Sequence, residues 1–264
     1  MKAHVYEAKC ITNLHVGSGD ENYHIVDAQV ERDPVTEMPT IFSSGVKGAI
    51  KENLEQAAKK DEKLNAIILK CLGGEVYENN KKVTYPGTYR FLSAQFIARP
   101  LRISEGNGTY VLTGVKECLE DYLELLADLG VQPYDGDLPA FPEEGTRGLI
   151  LTNKKGISVE GYKTKEAGKN EMMEKLIGSN WAVTDKETMK EFSLPVQARN
   201  VLDEKGISEN LWYEEVVPHK SIFHLVIVTS EEENLLNPYL DGKVIQFGAD
   251  ASIGYGLCKI TKIC

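Results

Sequence analysis

Apolar and polar residues alternate from Ala3 to Val16, with His4, Tyr6, Ala8, Cys10 and Thr12 on one side and Val5, Glu7, Lys9 and Ile11 on the other. This period of two predicts a strand. Gly17-Ser18-Gly19 follows as a turn, and Ile25 to Glu31 reads as a second short extended piece. The period then changes. Val46, Ile50 and Leu54 recur at helical spacing, which predicts a helix over roughly 46–59 with Ser43 and Ser44 as N-caps. A second helix is expected from about Asp61, its own cap, to Leu72, where Gly73-Gly74 stops it. Tyr89 to Ile103 reads as strand and turn around Pro100. Val115, Leu119, Tyr122, Leu126 and Leu129 mark one face of a long amphipathic helix over Thr113 to Leu129, ended by Gly130.

From Gln132 to about Ser193 the periodicity fails: Pro133, Gly136, Pro139, Pro142 and Gly145 lead into a lysine-rich stretch, which predicts an irregular insertion outside the core. Regular patterning returns with a long β-hairpin. Val196 to Leu202 enters it, Asp203-Glu204-Lys205-Gly206 turns, and Asn210 to Val217 returns. Ile222 to Thr229 is a buried-type strand, Glu231 to Val244 is expected to be at least partly helical despite Pro238, and a glycine loop over Gly248 to Gly256 leads into a last strand, Leu257 to Ile263. Strand and helix at the start, and strand, helix and strand at the end, predict an α+β fold. Its core would be ferredoxin-like (RRM-like), built from both chain ends, with an inserted helical region and the hairpin protruding as a thumb. The expected divisions are 1–131, 132–193, 194–217 and 218–264.

The N-terminal stretch has no apolar run of the length of a signal peptide or a membrane span, so the expected location is cytoplasmic, with no membrane partner. The five cysteines are widely spaced with no C-x-x-C pair, which points to free thiols in a reducing compartment rather than a zinc knuckle. The net charge of −10 argues against a generally basic nucleic-acid-binding surface. It leaves room for a groove with local positive charge, the acidic faces serving as interface with basic neighbours.

Four segments carry candidate chemistry, and spacing alone leaves a structural and a functional reading for each. His15, in Leu14-His15-Val16-Gly17-Ser18-Gly19, and Asp27 downstream read as a hairpin turn with a solvated aspartate. They also read as a loop where a phosphodiester backbone approaches and Asp27 binds a divalent ion or takes a proton. Ser44, Lys47 and Gly48, in Ser43-Ser44-Gly45-Val46-Lys47-Gly48, read as a capped helix with an exposed lysine, or as a phosphate site at a helix start; the spacing is not that of a P-loop. Gly248, Gly254 and Gly256 precede a strand, unlike a dinucleotide fingerprint, and read as a structural turn or as a loop admitting RNA backbone. Arg199 and the run Leu211-Trp212-Tyr213-Glu214-Glu215 read as a strand end packed on the core, or as a thumb lining a cleavage site.

In this order, LHVGSG with Asp27, SSGVKGAIKE, YRFLSAQFIARPLRI, LWYEEVVP and IQFGADASIGYGL resemble the RAMP superfamily of CRISPR proteins, and within it the repeated backbone subunit of type III-B (Cmr) complexes. The resemblance spans nearly the whole chain outside roughly 132–193. It implies partners: a guide crRNA, a complementary target RNA, further copies of the chain stacked as a filament, and other Cmr subunits, including the large polymerase-like subunit and the small subunit. Guide backbone contacts are implied for Ser44, Lys47, Gly48, Arg199 and the glycine loop. Guide pairing supplies specificity in such systems, and the thumb is implied to interrupt the duplex at steps of about six nucleotides. Target cleavage near Asp27 is implied to need a divalent metal, Mg²⁺ or Mn²⁺, with Asp27 as its ligand, and to leave a 2′,3′-cyclic phosphate and a 5′-hydroxyl. His15 and Glu214 are the candidate helpers. A catalytically silent scaffold, a type III-A backbone subunit, and an unrelated α+β enzyme with metal-binding acidic loops are the alternatives.

Overall fold

A computed structural model of the chain describes residues 1–18, 26–59, 61, 63–78, 81–142, 147–231 and 233–264. Gly19 and Ile25, which open or close two of the expected segments, lie outside the described residues.

The fold is α+β, organised on the strand Ile222–Thr229, all eight residues of which are buried. Its apolar, β-branched sequence suits a strand covered on both faces. Lys2–Cys10 pairs antiparallel on one side, with Val5 opposite Val226, and Gln95–Glu105 pairs antiparallel on the other. Leu257–Lys262 lies beyond Lys2–Cys10, and Val244–Gln246 forms the edge. The two chain ends are thus adjacent strands. Past Gln95–Glu105 the sheet continues through Tyr110–Val115, Trp181–Thr184, Ile150–Thr152, Tyr162–Glu166 and Ser158–Val159. The last of these pairs back on Gln95–Glu105, with Val159 opposite Ile103, so this half closes on itself like a barrel.

Alternation across the sheet divides the core in two. Tyr6, Ala8, Phe223 and Leu225 share one apolar cluster with Val46, Ile50 and Leu54 of the helix Ser43–Ala58 and Leu64 and Ile68 of the helix Lys63–Leu72. Val5, Ile97 and Val226 face the other way, packing with Leu119, Tyr122 and Leu126 of the helix Lys116–Asp128 and with Trp181.

Several expectations are corrected. The first helix starts at Ser43 with Phe42 as its N-cap residue, so the serines sit inside the first turn and neither caps it. Asp61 does accept the Lys63 N–H at 3.1 Å. Pro100 makes no turn. It lies within Gln95–Glu105 opposite Leu112, whose N–H goes instead to Asn180 O at 2.9 Å. Thr113–Val115 is strand rather than helix, because it pairs with Arg99 on one side and Ala182–Thr184 on the other. Glu231 to Val244 is helical in part, as expected: its described residues hold one helical turn, Asn237–Leu240, with Pro238 in it and Gly242 at φ 72° after it. The greatest departure is residues 147–193. They are not irregular: they supply four strands of the main sheet and two short helices, and they bury Trp181 completely. Strands of two to five residues are too short to show a period, and the lysines that mask them alternate outward on Tyr162–Glu166. A second hairpin, Gly73–Glu78 with Lys81–Pro86, follows the helix Lys63–Leu72 where no element was expected.

Candidate functional site

The hairpin Val196–Leu202 with Ser208–Glu215 forms a two-stranded sheet of its own, separate from the main one. Its turn is set by Asp203, whose Oδ1 accepts the N–H groups of Lys205 at 2.9 Å and Ile207 at 2.7 Å, with Gly206 at φ 78°. Val201, Ile207 and Leu211 are exposed along it, whereas Glu214 and Glu215 at the root are buried. The far part of the hairpin is exposed and its acidic root is packed in.

Asp27 is exposed. Its backbone N–H donates to Tyr213 O at 3.0 Å, and its carboxylate Oδ2 accepts the Tyr213 N–H at 2.8 Å. Glu215 N–H then donates to Ala28 O at 2.9 Å. Asp27 and Ala28 therefore run beside the returning hairpin strand, and Asp27 is held at the root of the hairpin.

His15 is buried, at 5% exposure. Its Nδ1 lies 2.7 Å from Glu215 O and 3.4 Å from Glu214 Oε1. A carbonyl only accepts, so the Nδ1 carries a proton. Glu214 Oε2 lies 3.6 Å from Arg199 Nε, and Arg199 Nη2 lies 3.3 Å from Asp250 Oδ1. The Arg199 guanidinium also sits 5.2 Å over the Tyr255 ring, whose hydroxyl donates to Gln197 Oε1. Burial raises the pKa of the Glu214 carboxyl and the neighbouring Asp250 adds to this, while His15 and Arg199 pull it down.

The glycine loop docks on the same place. Ala249 N–H donates to His15 O at 2.9 Å, and Gly256 N–H donates to Asn13 O at 2.8 Å. A Cβ at Gly248 would fall 2.1 Å from His15 O, and one at Gly256 would fall 1.9 Å from Phe247 O. This chain's own backbone therefore accounts for both glycines. Gly254, at φ 86°, faces open space.

His15, Asp27, Arg199, Glu214, Gly248 and Gly256 thus converge. Ser44, Lys47 and Gly48 lie elsewhere, on the helix Ser43–Ala58. Ser44 and Gly48 are exposed, Lys47 is half-buried, and a side chain at Gly48 would meet nothing within 4 Å. Phe42 N–H already donates to Glu31 Oε2 at 2.9 Å and Ser43 N–H to Ser93 Oγ at 3.2 Å, so two donors at this helix start are used internally. Lys47 makes no ion pair among the described residues. Sequence reasoning missed Asp250, Arg32 and Glu215 as partners in the site. The adjacent acids were a signal for Glu215; nothing local marks the other two.

Among the described residues no three Asp, Glu, His or Cys side chains gather as a metal cluster. Asp27 is the exposed carboxylate of the site, and one carboxylate completed by water and phosphate oxygens is a donor set that Mg²⁺ accepts. Within those terms the residues fit such an ion.

The sequence model of the RAMP superfamily matches residues 7–259. The CRISPR system Cmr endoribonuclease Cmr4 of Pyrococcus furiosus is 27% identical over 292 aligned positions, covering 99% of this chain and 96% of that protein. A chain of the type III-B Cmr-beta complex bound to cognate target RNA superposes over 100% of this chain and 98% of that one, with a TM-score of 0.76 at 24% identity. Oligomeric Cmr4 from Pyrococcus furiosus superposes with a TM-score of 0.69 at 18% identity, covering 99% and 98%. The chain that buries a histidine and a glutamate behind an exposed aspartate at a hairpin root belongs to the RAMP superfamily.

Proposed function

We propose that this protein is the repeated backbone subunit of a type III-B Cmr complex, binding guide crRNA and complementary target RNA alongside further copies of itself and other Cmr subunits, the large polymerase-like subunit and the small subunit among them. It is an endoribonuclease subunit acting on target RNA. The observation that carries the reading is the exposed Asp27 carboxylate, oriented by the Tyr213 N–H at the root of a protruding hairpin.

The same geometry supports the finer points of this reading. The strands Leu257–Lys262, Lys2–Cys10, Ile222–Thr229 and Gln95–Glu105 lie in the order fourth, first, third, second, which supports a ferredoxin-like core made from both chain ends. The hairpin's exposed apolar side chains suit a thumb that wedges between nucleotides, interrupting the guide–target duplex at regular steps. A nucleotide displaced from the stack is free to rotate its sugar. Its 2′-oxygen then attacks the adjacent phosphorus: the O2′–P bond forms, the P–O5′ bond breaks, the leaving O5′ takes a proton from solvent water, and a 2′,3′-cyclic phosphate and a 5′-hydroxyl result. Orientation of this kind supplies about 7–11 kcal/mol in favourable intramolecular cases. Asp27 acts through Oδ1, which has no partner among the described residues while Oδ2 is occupied by the Tyr213 N–H, either taking the 2′-hydroxyl proton or holding a divalent ion. Bound at Asp27, Mg²⁺ or Mn²⁺ would stabilise negative charge on the phosphate oxygens. His15 and Glu214 are too buried to meet the substrate first and hold the root in place. Lys47 and Ser44, at a helix start with no acid in its first turn, take a guide phosphate; Arg199 and the glycine loop line the same strand path.

The test is cleavage of an end-labelled complementary RNA by the assembled complex, wild type beside Asp27→Ala, with and without Mg²⁺. Evenly spaced products that vanish in the variant and without metal are expected. Intact target in the wild type, despite tight binding, would make the subunit a scaffold.

A further inference from the structure

The hairpin root contains one ion pair, a buried glutamate against an exposed arginine, that none of the chemistry above uses. Glu215 is 9% exposed, and its Oε1 lies 2.5 Å from Arg32 Nη2. Its other oxygen, Oε2, accepts the Val30 N–H at 3.2 Å. The main chain of the same residue is equally engaged: its N–H donates to Ala28 O at 2.9 Å and its carbonyl accepts His15 Nδ1 at 2.7 Å. Arg32 in turn donates from Nη1 to Glu37 O at 3.2 Å and lines a cavity of about 310 Å³ with Glu215, Arg99 and Lys190.

Resting on the reading of Asp27 given above, the geometry points to Glu215, with Arg32 as its counter-ion, as the positioning residue of the cleavage site. Glu215 binds the segment that carries Asp27 at two points, Ala28 and Val30, and binds the His15 ring at a third. Those two segments lie twelve residues apart along the chain, and the hairpin strand is their common support. An ion pair with one partner exposed is a poor source of stability, because solvent screens its attraction. It is a good source of geometry, because a carboxylate forced to serve both a guanidinium and a backbone N–H has few orientations left. Loss of the Arg32 charge leaves the Glu215 carboxylate short of a partner and free to drift toward solvent. The Asp27 loop then keeps its fold but loses its register against Tyr213.

The test uses the assembled complex and single-turnover cleavage of the complementary RNA. Arg32→Met, which keeps the length of the stem and removes the charge, and Glu215→Gln, which keeps an acceptor for Val30, are expected to slow cleavage on the order of 10- to 100-fold, as a misplacement near 1 Å does. Target affinity and guide content should stay within about twofold of wild type, and Arg32→Lys should recover most of the rate. Loss of affinity or assembly in step with rate would make the pair structural and overturn the proposal. Wild-type rates in Arg32→Met and Glu215→Gln beside an inactive Asp27→Ala would overturn it while leaving Asp27 in its role. Cleavage by Asp27→Ala at the wild-type rate would remove the underlying reading as well.

Discussion

Two buried histidines in this protein show how differently one side chain can be used. His224 lies on the central strand, fully enclosed, with Nδ1 accepting the Tyr122 hydroxyl at 2.8 Å and its ring stacked on Tyr134 at 6.4 Å between centroids. Burial presses its pKa down to about 3. It is a neutral acceptor among aromatic rings, placed by a strand and a helix. His15 lies on a loop, against the Glu214 carboxylate and the Glu215 carbonyl, in a group that includes Arg199 and Asp250. The first cluster is sealed and uncharged; the second is charged, built from loops and strand ends, and opens to solvent at Asp27. The proposed chemistry uses the second kind of arrangement, because there a charged group has both an ordered support and access to solvent.

Changing each cluster in turn tests this contrast. The largest effect is expected in the sealed one. Unfolded His224 has its ordinary value near 6.5, so between there and about 3 the unfolded chain binds a proton that the native chain refuses. Its contribution to stability is complete above about pH 6.5 and is lost as the pH falls, by up to ~1.4 kcal/mol per pH unit. His224→Gln lacks this titration, so the gap in unfolding free energy between wild type and variant should narrow from pH 7 to pH 5 in urea melts. RNA cleavage at neutral pH should survive that substitution.

Asp27→Ala should do the reverse. Cleavage falls by at least about 100-fold, the typical worth of a positioned base, with an unchanged melting temperature and target affinity. Glu214→Gln comes next. Its charge is shared between His15 and Arg199, so removing it leaves buried groups short of a partner at a cost of about 1–3 kcal/mol. Both melting temperature and cleavage rate should drop, and an unchanged melting temperature would show that the cluster contributes no stability. The smallest effect is expected at Lys47→Ala. Guide binding weakens a few-fold, and the slope of log affinity against log salt becomes shallower by roughly one phosphate contact. Identical salt slopes for variant and wild type would remove Lys47 from the guide path.

Much of this was legible in the chain. The hairpin was readable because Asp203 and Gly206 dictate a turn and its strands are seven and eight residues long. The strand Ile222–Thr229 was readable from unbroken apolar character, and the helix faces from their spacing. Asp27, His15 and Glu214 were legible as chemically capable residues in patterned segments. Residues 147–193 were not, since strands of two to five residues carry no detectable period and take their conformation from the partners they pair with.

The sequence by itself determined which long elements exist and which of their faces are apolar, because these depend on neighbours a few residues apart, and its ordered motifs pointed to the superfamily. Only the tertiary structure decided that Arg32 meets Glu215 across 183 positions, that Asp250 meets Arg199, and that the backbone of Gly248 presses on His15. Those contacts depend on how the sheet brings the two chain ends and the hairpin root to one place. That is a property of register and packing, and no local pattern encodes it.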